Sequence, residues 1–170
     1  KKFTKKDSKP FAVVVLEDLE HAKARGANIL AEMVGYASSG DAHHIAAPDE
    51  TGLGARNAMT WALRDAELAP EQIGYINAHG TSTPLGDAAE VNAVKAVFGE
   101  HANTLAMSST KSMTGHALGA AGGIESIAVI RALQTGILPP TINLDAPDDD
   151  FKLDFVANEA KERSLDYAIN

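Results

Sequence analysis

Residues 117–133 constrain the fold of this chain more than any other segment, because they are apolar or small almost throughout. The polar side chains within them are Glu125, Ser126 and Arg131. A segment of this length predicts a helix rather than a strand, and a helix without a polar face has to be covered by protein on every side. We therefore predict a buried central helix with further layers of secondary structure packed around it.

The rest of the chain alternates between short apolar runs and longer stretches with helical periodicity. The runs predicted as strands are residues 12–16, 29–36, 73–78, 105–107 and 153–156. The stretches predicted as helices are residues 17–25, 55–68 and 84–98. A long surface loop is expected at residues 37–54, which are rich in Ser, Gly, Asp and Pro. Alternation of strands and helices is typical of α/β proteins.

Composition places the chain among globular proteins. Of its 170 residues, 45% are hydrophobic and 22% are charged, so a single domain with a real core is expected rather than disorder. The net charge of −8 argues against nucleic acid as a partner, because phosphates require clustered Lys and Arg. The lysines within residues 1–9 form a basic run that we interpret as a solvated tail.

Two further classes of protein are excluded by composition. There are no cysteines, which rules out disulfides, thiolate metal sites and a cysteine nucleophile within these residues. Apolar runs all fall short of the ~20 residues needed to cross a bilayer. We therefore expect no membrane partner and a cytoplasmic location.

The first candidate site is the string N-A-H-G-T-S-T-P-L-G-D at residues 77–87. Here His79 leaves a predicted strand and enters a turn, and ligands gather at strand ends in α/β sheets. A histidine in this place can donate a hydrogen bond to developing negative charge, while the hydroxyls of Thr81 and Thr83 can bind a polar ligand. From these residues alone, a structural turn histidine with capping threonines is an equally good interpretation.

The second candidate site is the string S-S-T-K-S-M-T-G-H-A-L-G-A-A-G-G at residues 108–123. It leads directly into the apolar helix, so His116 is expected at the helix start, where free N–H groups and partial positive charge collect. That setting favours a neutral imidazole that donates one hydrogen bond, and it attracts anionic ligands. The alternative is a structural histidine beside glycines that permit close packing.

Three other motif interpretations fail because a required spacing or element is missing. The glycines of residues 115–123 do not have the G-x-G-x-x-G pattern of dinucleotide binding. Ser108 and Lys111 have the S-x-x-K spacing of penicillin-recognising enzymes, but the K-T-G element is missing. His43 and His44 are adjacent, and H-E-x-x-H is absent, so a zinc site is not expected.

Together, the two histidine strings resemble the histidine motifs of the β-ketoacyl-[acyl-carrier-protein] synthases, with roughly the family's separation between them. The similarity continues through V-V-V-L-E, E-H-A-K-A-R-G-A, V-G-Y-A-S-S-G-D, Q-I-G-Y-I-N-A-H-G and P-P-T-I-N-L, and so covers nearly the whole chain. It is closest to the free-standing elongating synthases of type II. Two histidines, neither replaced by Asn, separate the chain from initiating synthases and from thiolases, which share the fold.

The resemblance implies an α/β fold of the thiolase type. This chain would be its C-terminal βαβαβ half, with a mixed sheet and a buried central helix. The half-domain is expected at residues 12–170, joined across a gap to a residual N-terminal segment 1–11, because relatives have a Gly-rich segment between these parts. The chain is also expected to stop before the Gly- and Phe-rich loop with which relatives close the acyl pocket.

The family reaction serves fatty acid elongation. An acyl group passes from carrier protein to a cysteine, malonyl-carrier protein is decarboxylated, and the resulting carbanion attacks the acyl group. The resemblance implies that His79 and His116 donate hydrogen bonds to the malonyl thioester oxygen and stabilise the enolate. It also implies that Lys111 is an electrostatic partner of the second histidine, with Glu90 as its buried counter-ion.

Further expectations about ligands and partners come from the resemblance alone. Thr81 and Thr83 match residues that bind the phosphopantetheine arm, while Asn77 and Glu125 match ligands of a monovalent cation found in some relatives. No other cofactor is expected. The expected partners are acyl carrier protein, loaded with acyl and malonyl groups, and a second full-length subunit in a homodimer. Because the nucleophilic cysteine belongs to the N-terminal half, this acyltransferase chain is expected to be inactive alone.

Two alternatives stay open. One is a non-catalytic partner subunit similar to chain-length factors, which lack the cysteine and contribute to a ketosynthase heterodimer. The retained histidines, Lys111 and the paired threonines speak against it. The other is a plain binding module that folds as a monomer, for which only the missing cysteine argues.

Overall fold

The computed structural model describes residues 11–147 and 151–170. The helices in these residues are α1 (Leu19–Ala24), α2 (Leu53–Asp65), α3 (Pro84–Phe98), α4 (Lys111–Thr114) and α5 (Ala121–Thr135). The strands are β1 (Ile73–Asn77), β2 (Ala106–Ser108), β3 (Ile137–Leu138), β4 (Lys161–Glu162) and β5 (Tyr167–Ile169). Short 3₁₀ turns lie at Pro70–Gln72, Gly99–Asn103 and Leu118–Ala120. The basic run and all but the last residue of the expected segment 1–11 lie outside the described residues.

The central sheet has the strand order β2-β1-β5, and both pairings are parallel. The chain runs β1, α3, β2, α5 and β5 through this sheet, which confirms the expected α/β class and βαβαβ order. β3 and β4 form a separate antiparallel pair. The predicted mixed sheet is therefore seen, among the described residues, as a parallel sheet and a separate antiparallel pair.

Helices cover both faces of the parallel sheet. On one face, α2 and α3 supply Leu63, Val94 and Phe98 to a core cluster that includes Ile76 of β1. On the other face, α5 supplies Val129 and Ala132 to a second core cluster. Tyr75, the neighbour of Ile76, belongs to this second cluster, as the two-residue period of a strand requires. β1 thus lies between two apolar layers. Packing on both faces fixes the position of the strand and therefore of its C-terminal end.

Helix α3 has the bounds predicted from the sequence. Pro84 occupies its first turn, where the missing N–H costs no hydrogen bond, and Gly99 ends it with φ +52°. The 55–68 prediction is confirmed as α2, shifted toward the N-terminus, and α1 lies within the predicted 17–25 helix.

Helix α5 differs from its prediction. It begins at Ala121 because Leu118 takes a left-handed conformation, with φ +51°, in the preceding 3₁₀ turn. Its buried residues, Ala121, Glu125, Val129 and Ala132, form one stripe, while Ile127 is 52% exposed. The prediction of a fully buried central helix is therefore wrong for the described residues, which cover α5 only on the side of the sheet.

Among the described residues, three of the predicted strands do not form. Residues 12–16 and 29–36 have no ladder partner among the described residues, and their apolar side chains are exposed, with Val15 at 84% and Tyr36 at 68%. Residues 153–156 contribute only an isolated bridge, between Asp154 and Ala106. An apolar run forms a strand only where a neighbouring strand accepts its hydrogen bonds. In the described part of the chain, no helix has the length and apolarity needed to span a membrane.

Candidate active site

The first histidine lies in a turn that is held by a carboxylate. β1 ends at Asn77, and the chain then turns through His79 and Gly80 toward α3. The side chain of Glu90, from α3, accepts hydrogen bonds from the backbone N–H groups of His79 (2.7 Å) and Gly80 (2.8 Å). These charge-assisted bonds fix the direction in which the His79 side chain leaves the backbone.

The second histidine follows α4. His116 comes after Gly115, whose φ is +73°, and its Nδ1 accepts a hydrogen bond from the backbone N–H of Leu118 at 3.2 Å. An imidazole nitrogen that accepts carries no proton, so the neutral ring is protonated on Nε2 and can donate from that atom. The expectation that His116 lies at a helix N-terminus is wrong, because α5 begins only at Ala121.

The two histidines come together. Their ring centroids lie 5.4 Å apart, and the ring planes are nearly perpendicular, at 87°. Both residues are exposed in the described structure. The two imidazoles therefore lie close enough for one ligand to contact both.

Lys111 pairs with a different carboxylate from the one predicted. Its ammonium is bonded to the carboxylate of Glu125 from α5, and the two side chains are 4% and 11% exposed. A buried charge requires such a partner. The prediction of Glu90 as the counter-ion is wrong, because its carboxylate is used by the turn that carries His79.

The proposed cation ligands are occupied by the protein itself. The side-chain amide of Asn77 donates toward the backbone carbonyl of Glu125 at 3.4 Å, and its oxygen accepts from the Thr110 hydroxyl at 3.4 Å. The Glu125 carboxylate is bonded to Lys111. Asn77 and Glu125 as placed do not fit a monovalent cation, which needs several free oxygens around it.

The two threonines lie at the entrance to α3. Their hydroxyls are 3.1 Å apart and bonded to each other, and Thr83 is exposed. Thr83 is the N-cap of α3, yet its side chain makes no capping bond. The capping role that the sequence left open is therefore not taken by Thr83, and both hydroxyls retain capacity to bond a ligand.

Sequence reasoning missed a series of buried hydrogen bonds that links Tyr75, Ser108 and Pro139. The hydroxyl of Tyr75 is 2.8 Å from that of Ser108, which donates to the backbone carbonyl of Pro139 at 2.6 Å. Burial raises the pKa of Tyr75 to about 12, with the Ser108 hydrogen bond opposing and the charge of Glu125 adding to the rise. The available signal was a tyrosine in an otherwise apolar strand, since a buried hydroxyl needs a partner.

An open groove elsewhere contains neither histidine. It is lined by Glu50, Thr51, Arg56, Leu85, Ala88, Asn92 and Ala96. Its walls combine the charged Glu50 and Arg56 and the polar Thr51 and Asn92 with apolar side chains, and they contain no histidine or other ordinary general base near neutral pH. The paired imidazoles, which follow the C-terminal ends of two neighbouring parallel strands, are the better candidate for chemistry.

Comparisons with known proteins identify the family of the chain. The family model "Beta-ketoacyl synthase, C-terminal domain" matches residues 30–145. The 3-oxoacyl-[acyl-carrier-protein] synthase 2 of Coxiella burnetii is 54% identical over 159 residues, which cover 94% of this chain and 38% of that protein. The chain thus spans about two-fifths of the length of this relative.

Solved structures of ketosynthases share the fold. One match is a chain from the complex of a type II PKS acyl-carrier protein with its ketosynthase bound to the hexaketide. Its TM-score is 0.86 and its identity is 43%, over 89% of this chain and 37% of that one. The ishigamide ketosynthase/chain length factor matches with a TM-score of 0.81 and 41% identity, over 86% of this chain and 36% of that one. The resemblance carried by the two histidine strings is confirmed: this chain belongs to the β-ketoacyl synthase family and carries its thiolase-like C-terminal domain.

Proposed function

We propose that this chain is the part of an elongating β-ketoacyl-[acyl-carrier-protein] synthase that stabilises the enolate formed from malonyl-carrier protein. The observation that carries the proposal is the approach of the His79 and His116 rings to 5.4 Å, with Nε2–H of His116 available as a donor. Donors fixed in advance around a developing oxyanion commonly make the largest single contribution to catalysis.

In the proposed reaction, the bond between the malonyl carboxylate and its methylene carbon breaks and carbon dioxide leaves. The electron pair moves onto the thioester oxygen, which accepts hydrogen bonds from His79 and His116. The enolate carbon then attacks the carbonyl of an acyl-cysteine, a carbon–carbon bond forms, and the thiolate departs. The chemistry requires no redox or organic cofactor.

The cysteine has to come from outside these 170 residues, which contain none. We therefore place the activity in the complete synthase and expect these residues alone to be inactive. Acyl carrier protein is the proposed donor of both substrates, which is supported by the similar ketosynthase solved in complex with one. A homodimer of complete subunits, in the cytoplasm, is the proposed setting.

Two further roles belong to the proposal. Thr81 and Thr83 would bond the phosphopantetheine arm, which is supported by their free bonding capacity beside the histidine turn. Lys111 would act as the electrostatic partner of His116, and its ion pair with Glu125 would hold the segment that leads to His116. The monovalent cation is left out, because its predicted ligands bond to each other and to Lys111.

The test uses the full-length protein that contains this chain. Release of carbon dioxide from malonyl-carrier protein and formation of the β-ketoacyl product are measured for the wild type and for His79→Ala and His116→Ala. Loss of one such donor is expected to lower the decarboxylation rate about 100- to 1000-fold. His21→Ala is the control, since that imidazole lies on α1 and is 69% exposed.

Two outcomes would contradict the proposal in different ways. If the wild type forms no β-ketoacyl product, the assigned activity is wrong. If it forms product but the two histidine variants decarboxylate like the His21 control, the enolate mechanism is wrong.

The alternative role of a chain-length-factor-like subunit has one supporting observation, the similar ketosynthase/chain length factor structure. Such a subunit would show activity only when a separate ketosynthase supplies the cysteine. Condensation by the full-length homomeric protein would exclude this role.

A further inference from the structure

The string P-P-T-I-N, noted above only for its family resemblance, has a structural role that the proposed chemistry does not use. We call residues 139–142 of this string the brace. The Ser108 hydroxyl donates to the carbonyl of Pro139 (2.6 Å), and the N–H of Ser109 donates to the Thr141 hydroxyl (3.0 Å). The N–H of Ile142 donates to the Ser112 hydroxyl at 3.0 Å. The brace thereby holds the segment between β2 and His116.

Ser109 also reaches the turn of the other histidine. Its hydroxyl donates to the carbonyl of Gly80 at 2.7 Å, and the residue is only 7% exposed. The contact is close, because a Cβ added at Gly80 would lie 2.6 Å from the Ser109 Cβ. Ser109 is thus bonded both to the brace and to the residue that follows His79.

These bonds leave little freedom to the turn. The N–H of Gly80 is taken by Glu90 and its carbonyl by Ser109, while its φ is +33°. Without the Ser109 hydroxyl, the carbonyl would lose its protein partner, and the peptide group could rotate toward water. Rotation of this Gly80–Thr81 peptide group would displace the backbone directly after His79, so that the Glu90 bonds would be left to hold the His79 turn without support from the other side.

We infer that Ser109 is a positioning residue that locks the His79 turn onto the brace and so holds His79 opposite His116. The inference rests on the proposed function for its kinetic consequence. Its structural consequence can be measured independently.

The kinetic test compares Ser109→Ala with wild type in the full-length protein. Decarboxylation of malonyl-carrier protein is expected to slow about 3- to 10-fold in kcat, the effect of one lost neutral hydrogen bond. KM should stay within twofold, because the enolate bonds to His79 strengthen mainly in the transition state. The control is Ser39→Ala, which likewise removes a hydroxyl that donates to a glycine carbonyl, that of Gly54, away from both histidines.

The structural test uses selectively ¹⁵N-histidine-labelled protein. The His79 backbone amide signal is expected to shift in Ser109→Ala and to stay in place in Ser39→Ala. A Ser109→Ala protein with lowered thermal stability, unchanged kcat and an unmoved His79 signal would overturn the inference and leave Ser109 a stabilising residue only.

Failure of the inference and of the proposed function can be told apart. If the wild type does not decarboxylate malonyl-carrier protein, the proposed function is wrong. The shift of the His79 amide signal in Ser109→Ala then tests the positioning role of Ser109 without any kinetic measurement. Should Ser109→Ala not fold, Thr141→Val tests the same connection by removing the brace acceptor. A His79 signal that does not move in Thr141→Val would then overturn the inference.

Discussion

The rings of His79 and His116 lie 5.4 Å apart although they follow different strands. β1 and β2 are parallel neighbours with Asn77 opposite Ser108, so the chain leaves both strands at the same edge of the sheet. Two short connections from that edge bring the histidines together. Their proximity is thus a consequence of parallel pairing, and the bonds of Glu90 and Ser109 refine it.

The buried pair of Lys111 and Glu125 is expected to be strongly coupled. Lys111→Met would leave the Glu125 carboxylate without its partner and should reduce the free energy of unfolding by about 3–5 kcal/mol. Replacing both residues by Met removes both charges and should cost much less than the sum of the single changes. Urea unfolding of the two single variants and the double variant measures the coupling.

The surface pair of Lys23 and Glu20 is the control for this comparison of single and double variants. These side chains are 53% and 81% exposed, so their coupling should stay below about 0.5 kcal/mol. Additive effects at Lys111 and Glu125 would show that the buried pair is not coupled as the structure indicates.

Tyr75 should make the protein sensitive to alkaline pH. Burial raises the pKa of Tyr75 to about 12 in the folded protein, against about 10 in an unfolded chain. Between these values only the unfolded state releases the proton, so the free energy of unfolding should fall as pH rises above 10, by up to ~1.4 kcal/mol per unit. Below pH 10 the contribution is fully present.

Urea unfolding from pH 8 to 11.5 checks this prediction with Tyr75→Phe. Because the variant lacks the hydrogen bond to Ser108, its free energy of unfolding at pH 8 should be about 1 kcal/mol lower than that of the wild type. Above pH 10 its free energy of unfolding should fall less steeply with pH than that of the wild type. Tyr36→Phe, at a residue that is 68% exposed, should keep the wild-type slope. Equal slopes for wild type and Tyr75→Phe would contradict the prediction.

Gly80 should tolerate a methyl group less well than Gly99. Both have positive φ, +33° and +52°, so alanine is strained at either position. At Gly80 the new Cβ would also lie 2.6 Å from the Ser109 Cβ, whereas nothing lies within 4 Å at Gly99. Thermal unfolding should therefore show that Gly80→Ala lowers the free energy of unfolding more than Gly99→Ala does, by about 1–3 kcal/mol. Equal losses would mean that the contact with Ser109 relaxes freely.

The sequence was informative where local chemistry decides the structure. The bounds of α3 follow from Pro84 and Gly99, and β1 follows from an apolar run between polar turns. The partner of Lys111 could not be predicted in this way. Glu90 and Glu125 are both carboxylates on helices, and the choice between them depends on how α5 packs against α4, which no local pattern encodes.

The same reasoning explains the errors in the apolar segments. A stretch of small and apolar residues predicts a helix but not how many of its faces are covered, so α5 was expected to be buried on all sides. The start of α5 depends on the left-handed conformation of Leu118, which its residue type does not indicate. Residues 12–16 and 29–36 have strand-like composition, yet a strand also depends on a neighbour that their own sequence does not specify.

Thr81 and Thr83 should contribute to substrate binding rather than to chemistry. If their hydroxyls bond the phosphopantetheine arm, the same bonds exist before and during decarboxylation. Thr81→Val and Thr83→Val should therefore raise KM for malonyl-carrier protein about 3- to 10-fold, with kcat within twofold of wild type. Because the two hydroxyls are bonded to each other at 3.1 Å, the rise in KM of the double variant should be smaller than the product of the rises of the two single variants. Thr60→Val is the control, since that hydroxyl donates to the Arg56 carbonyl within its own helix. A fall in kcat at unchanged KM would instead place the threonines in the chemical step.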